Sequence, residues 1–184
     1  MRTREPGGTV IGDKIRNVLL DPEHSSMCTK TEVLLYAAAR AQLVSEVIRP
    51  ALEDGKAVVS DRYLDSSFAY QAFGLGEKPD FIRRVNEEAT GHLYPDLTLV
   101  LDIEPEEGLR RLKERKTLQA GSGEDRIELK NLEFHRRVRE GYLFLASIQK
   151  DRFVVIDAKQ DEEAVNREII KAVQELFDQK GYKI

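Results

Sequence analysis

Three short runs of the 184-residue chain are apolar at consecutive positions: AVVS (Ala57–Ser60), LTLVLDI (Leu97–Ile103) and FVVID (Phe153–Asp157). A strand with one wet face alternates apolar and polar residues. Runs that are apolar on both parities therefore read as parallel strands covered on both faces. Longer helical patterns separate them. Val33, Leu34, Ala37, Ala41, Val44 and Ile48 recur at helical spacing behind Thr29-Lys30-Thr31-Glu32, which reads as a capping box. Leu129, Leu132, Leu143 and Ile148 mark another helix, and Ala164 to Phe177 a last one. Strands alternating with helices predict a layered α/β fold with a parallel sheet. The length suffices for one such domain with a real core, and neither a repeat nor a linker divides it.

The formal net charge of -4 argues against nucleic-acid or anionic-membrane partners. No apolar run approaches the length of a membrane span and no signal peptide opens the chain, so no membrane role is expected. Cys28 is the only cysteine, which leaves no internal disulfide or zinc cluster and suits a reducing cytoplasm. His24, His92 and His135 are scattered and read as surface or turn residues.

The opening stretch EPGGTVIGDKIR (Glu5–Arg16) invites comparison with a phosphate-cradling loop of the form G-x-x-x-x-G-K-[ST]. Gly7 and Gly12 have the right separation, but the next residues are Asp13, Lys14 and Ile15. The lysine is one place late, no hydroxyl follows it, and Asp13 brings negative charge where phosphate oxygens should sit. The residues before Gly7 include Arg2, Arg4, Glu5 and Pro6, so no buried strand feeds the loop. The stretch instead predicts a turn at Pro6-Gly7-Gly8 and a helix carrying Ile11, Ile15, Val18 and Leu19.

Asp61 and Arg62 directly follow the run AVVS. Parallel α/β sheets bind ligands beyond the carboxyl ends of their strands. An aspartate there can hold the water shell of Mg²⁺, and an arginine can clamp a phosphate bidentately. The same pair also fits turn residues joined in an ion pair.

REPGGT (Arg4–Thr9), TEVLLYAAAR (Thr31–Arg40), DRYLDSSFAYQ (Asp61–Gln71), LYPDLTLVLD (Leu93–Asp102) and EDRIE (Glu124–Glu128) occur in this order. Together they closely resemble the bacterial thymidylate kinases, over nearly the whole chain. The resemblance implies a single domain, 1–184, with a three-layer nucleoside-monophosphate-kinase-like α/β fold: a parallel sheet surrounded by helices. It implies transfer of the γ-phosphate of ATP to dTMP, with Mg²⁺ and without a covalent intermediate. A homodimer through the helices is also implied. Family members open with a strand, a Walker A loop and a helix before REPGG. This chain starts almost at REPGG, so the central P-loop strand is expected to be missing. That is a segment of about thirty residues.

The same resemblance assigns the site. Tyr36 and Arg40, four apart on one helix face, would stack on and donate to thymine; alone they also read as a core aromatic and a solvated charge. Ser67 and Gln71 repeat that spacing, and the Gln71 amide suits a thymine edge. Tyr70 would lie under the sugar and crowd a ribose 2′-hydroxyl. Arg62 would clamp the dTMP phosphate, with Arg16 nearby. Glu5 and Asp61 would order Mg²⁺ through water. The cation-dense segment 109–126, interrupted by Gly121-Ser122-Gly123, reads as a lid delivering Arg115 or Arg126 to the phosphates. Spacing does not distinguish the two, and a solvated helix face accounts for a charge run equally well. Two alternatives stay open: a dTMP-binding remnant impaired in catalysis, and a kinase for another pyrimidine monophosphate.

Overall fold

The computed structural model describes residues 1–118 and 124–182. The strands pair in parallel, as expected: β1 (Arg2–Arg4) with β2 (Val59–Asp61), and β3 (Thr98–Asp102) with β4 (Phe153–Asp157). Among the described residues they form two separate two-stranded sheets rather than one continuous sheet. Expected cover on both faces is also incomplete, since Val59 is 66% and Leu101 50% exposed.

The sequence pattern contained no strand at β1. Arg2, Thr3 and Arg4 carry no apolar signal, and backbone pairing extends the strand at both ends. The Val59 N–H donates to the Met1 carbonyl and the Glu5 N–H to the Asp61 carbonyl, each at 2.9 Å. The register sets Arg4 opposite Asp61, so the opening residues reach the carboxyl end of β2.

Gly7 (φ 121°) and Gly8 (φ 81°) make the turn after β1 in conformations that glycine adopts without Cβ strain. Helix α1 (Val10–Leu20) then starts at Thr9, whose hydroxyl accepts from the Gly12 N–H at 2.9 Å. The Gly8 N–H donates to Asp13 Oδ1 at 3.3 Å. A carboxylate therefore takes up a loop amide that a P-loop would offer to phosphate, in line with the rejection of that reading.

Helix α2 (Thr29–Leu43) passes through a π-helical turn, Val44–Ile48, into α3 (Arg49–Glu53). The expected capping box is not made. Cys28 occupies the N-cap and its thiol meets the Thr31 hydroxyl rather than capping a backbone N–H, and the Glu32 side chain turns into the protein. After β2, α4 (Leu64–Ser67) runs into a second π-helical segment, Phe68–Gly74. Such distortions recur at functional sites because they re-aim side chains within one helix. The remaining helices are α5 (Pro79–Thr90), α6 (Pro105–Leu118), α7 (Leu132–Ile148) and α8 (Glu162–Lys180). None among the described residues is long and apolar enough to cross a membrane. His24 and His92 are exposed as expected; His135 is instead half-buried in the first turn of α7, edge-on to Phe134.

Helix α6 runs through much of the expected lid. Arg110 pairs with Glu107 and Glu114, Arg111 with Glu107, and Lys116 with Glu128. For Arg110 and Arg111 the solvated-face reading holds, whereas Lys116 is largely covered. Gly121, Ser122 and Gly123 lie outside the described residues.

The core centres on α7 against Phe68–Gly74. Tyr70 meets the rings of Phe134 and Tyr142 edge-on, with centroids 6.0 and 6.3 Å apart. Val100, Leu145 and Phe153 join α7 to β3 and β4, and Leu43, Val44 and Ile48 close the far end of α2. Burying such a side chain fully contributes about 1.5–3 kcal/mol. Arg139 also ties α7 to the end of β3; its bonds to Asp102 hold that carboxyl below its usual range.

Gly141 lets α7 approach closely. A Cβ there would stand 2.9 Å from Phe73 Cβ and 3.0 Å from Ala69 Cα, neither of which is a free side-chain end. Gly141→Ala should therefore lower stability by about 1–3 kcal/mol despite its better helix propensity. Urea unfolding will show this as a lower midpoint with an unchanged slope.

Candidate active site

Glu32, Tyr36 and Arg40 recur every four residues, so α2 presents them on one face. Opposite them, α4 and the π-helical segment present Ser67, Tyr70 and Gln71. Arg62 stands at the mouth, just past β2.

Arg40 is 1% exposed. Its Nε donates to both Glu5 oxygens at 3.0 and 2.9 Å, and its Nη2 to Glu5 Oε2 at 2.6 Å. Its Nη1 donates to Ser67 Oγ at 3.1 Å and to Asn86 Oδ1 at 2.5 Å. A guanidinium has five N–H donors, so one Nη2 hydrogen remains for a ligand. Arg40 is thus neither a solvated charge nor a free arm, but a buried hub joining β1, α2, α4 and α5. Burial pushes the Glu5 carboxyl up, against the pull of the Arg40 guanidinium. Glu5 was expected to order Mg²⁺ water; both of its oxygens are instead taken up by Arg40.

A second buried network lies one helical turn along. Gln71 Nε2 donates to Glu32 Oε1 at 3.0 Å. Arg126 Nη2 lies 2.7 Å from Glu32 Oε2, a contact that is ionic rather than a well-aligned hydrogen bond. Arg126 Nε donates to the Leu19 carbonyl at 2.8 Å. Expected as a lid cation, Arg126 is instead buried and anchored on three sides by α1 and α2. Arg115 is exposed in the last turn of α6, and no contact joins it to this cluster among the described residues.

Tyr36 sits between the networks. Burial raises its pKa, Glu32 and Tyr70 add to this, and Arg62 and Arg126 oppose it. The phenol thus stays neutral and able to donate. Arg62 lies with Cζ 4.9 Å from the Tyr70 ring centroid. Its φ of 70° is left-handed, a strain of order 1–3 kcal/mol for a residue with a side chain. The Ser60 hydroxyl, donating to the Arg62 carbonyl at 2.7 Å, helps hold that turn. Asp61 is exposed beside it. Arg16 Nη1 donates to the Pro6 carbonyl at 3.0 Å, which brings α1 to the glycine turn.

Tyr36, Arg40, Arg62, Ser67, Tyr70 and Gln71, singled out in the sequence, lie near one another in the fold. Sequence reasoning missed Glu32 and Asn86. Glu32 carried a signal, being one turn before Tyr36 on the same face; Asn86 carried none.

Removing one partner of a buried ion pair strands the other charge. Arg40→Ala should therefore lower stability by about 3–5 kcal/mol. Thermal and denaturant unfolding test this; a loss below about 1 kcal/mol would mean that water reaches Glu5 and the network is open.

Residues 1–169 match the thymidylate kinase family. The thymidylate kinase of Lactobacillus helveticus is 49% identical over 179 residues, 95% of this chain and 82% of that protein. That of Nitratidesulfovibrio vulgaris is 46% identical over 176 residues, with the same coverage of 95% and 82%. The crystal structure of thymidylate kinase from Ehrlichia chaffeensis superposes with a TM-score of 0.74 at 29% identity, covering 95% of this chain and 80% of that one. The match runs through both sheets and every residue of the clustered site, and the chain belongs to the thymidylate kinase family.

Proposed function

We propose that the site binds dTMP and that the chain transfers the γ-phosphate of ATP to it, giving dTDP and ADP, a step of dTTP biosynthesis. The observation carrying this is the three-part arrangement of α2 face, opposed Ser67–Gln71 face and strained Arg62 at the strand end. The Tyr36 ring is available to stack on a pyrimidine. The Gln71 amide and the spare Arg40 hydrogen suit a base edge rich in carbonyl oxygens. Tyr70 lies under the sugar, where it disfavours a 2′-hydroxyl. Arg62 clamps the monophosphate, with Arg16 close behind.

The attacking phosphate oxygen is already anionic, so no general base is needed. Alignment and positive charge supply the rate. Mg²⁺ would neutralise charge on the transferred group. Asp61, exposed beside Arg62, is the carboxylate placed to hold its water shell. With Arg126 anchored, Arg115 on segment 109–126 is our choice for the lid cation.

In this family reading, the P-loop strand belongs between β2 and β3. No described strand joins the two sheets, and Asp13 already engages the loop at Gly8. We assign dTMP recognition to the described residues, and the hold on the ATP β- and γ-phosphates to the phosphate-cradling loop of the family. A cytoplasmic location is part of the same reading. So is a homodimer, supported by Val10, Ile11 and Leu34, which stand exposed on the adjacent helices α1 and α2. Light scattering should give twice the chain mass, and Ile11→Glu should return it to one.

Arg62→Ala should weaken dTMP binding by on the order of a hundredfold, equivalent to about 3 kcal/mol. Calorimetric titration of dTMP measures it, with dUMP, UMP and dCMP alongside to rank the bases and sugars. An unchanged affinity would overturn the assignment of the phosphate site.

A further inference from the structure

The carboxylate of Glu32 has a consequence for Gln71 that depends only on donor and acceptor chemistry. A carboxylate paired with a guanidinium can accept hydrogen bonds but not donate them. Glu32 is 1% and Gln71 2% exposed, so water does not compete for either. The amide of Gln71 must then turn its NH₂ toward Glu32, as the 3.0 Å bond from Nε2 records. A planar amide directed this way turns its oxygen to the other side. Flipping it would face Gln71 Oε1 against Glu32 Oε1, two acceptors with no proton between them.

We propose that Glu32 is a positioning residue for base selection: it locks the Gln71 amide with its oxygen turned toward the base, so that the site takes a pyrimidine carrying N3–H. This rests on Gln71 reading the base edge. Thymine and uracil offer a donor at N3; cytosine offers a bare ring nitrogen, an acceptor. Against the locked oxygen, cytosine leaves two buried acceptors opposed. A site built around one hydrogen bond rejects the mismatched partner by on the order of ten- to a hundredfold or more. Arg126 has a supporting part. It pairs with Glu32 Oε2 from the far side, supplying the opposite charge that a buried carboxylate needs.

The test uses equilibrium binding, which does not require turnover. Calorimetric titrations with dTMP and dCMP give the ratio of the two dissociation constants. Glu32→Gln keeps the shape but allows either amide orientation at position 32, so Gln71 becomes free to flip. The ratio should fall about tenfold, mainly through tighter dCMP binding. Glu32→Asp, which keeps a carboxylate, should retain most of it. In a Gln71→Ala background Glu32→Gln should leave the ratio unchanged, because the two act through one amide. A merely structural role for Glu32 would weaken both nucleotides alike and leave the ratio intact, overturning the proposal.

Selective dTMP binding by the parent chain with no change of ratio in Glu32→Gln refutes the lock alone. No dTMP binding by the parent chain refutes the site reading and the lock with it. Should Glu32→Gln fail to fold, the side-chain amide protons of Gln71 in the parent chain decide. A locked amide gives two resolved, protected signals with and without dTMP, and averaging by rapid flipping refutes the lock.

Discussion

A guanidinium out of reach of water fixes the arrangement of this site. Arg40 satisfies itself on Glu5 after β1, Ser67 on α4 and Asn86 on α5. Each is a group that would carry a desolvation penalty if left alone, and each comes from a different element. The elements are therefore registered against one another by charge and hydrogen bonding, at the place where the apolar core gives way to the ligand site. Hydrophobic packing of α7 against Phe68–Gly74 supplies cohesion, but contacts among Ala69, Phe134 and Val138 tolerate small slides. Hydrogen bonds of 2.5–3.1 Å do not.

The Glu32 network repeats this logic one turn away. Both networks hang from α2, and they meet α4 at Ser67 and the π-helical segment at Gln71, again four residues apart. Replacing such buried ionic groups with apolar ones of equal volume is often neutral or stabilising. Stability alone therefore does not explain them. What they provide is orientation: a fixed set of acceptors and unused donors on Arg40, Asn86 and Arg126, in place before any ligand arrives.

Much of this was legible in the sequence. Strand β4 coincides with the run FVVID, whose Phe153 and Ile156 are buried in the core. The failures share one cause: local pattern does not name a partner. Glu32 follows Thr29 at capping-box spacing, yet it faces Gln71 across the fold. Arg126 lies among lid cations, yet it bonds the carbonyl of Leu19, 107 positions away in sequence. Strand β1 has no apolar residue to announce it, since its pairing is wholly backbone. Asn86, one polar residue on a polar helix, gives no hint that it is buried. Position on a helical face was readable, and identity across the interface was not.

The division between rigid and exposed groups carries a final consequence. Arg40, Ser67, Gln71 and Glu32 are buried and interlocked, whereas Asp61 and Arg62 are exposed beyond β2. In the proposed dTMP site, recognition of the base is then settled by geometry formed during folding, at little further ordering cost on binding. The phosphate end works differently. Arg62 is held in a left-handed turn and laid over Tyr70, which fixes its backbone and desolvates part of its guanidinium. A guanidinium so placed attracts a dianionic phosphate more strongly than one free in water. The base end therefore supplies selectivity that salt barely touches. The phosphate end supplies attraction that salt screens, and the two should separate in the ionic-strength dependence of binding.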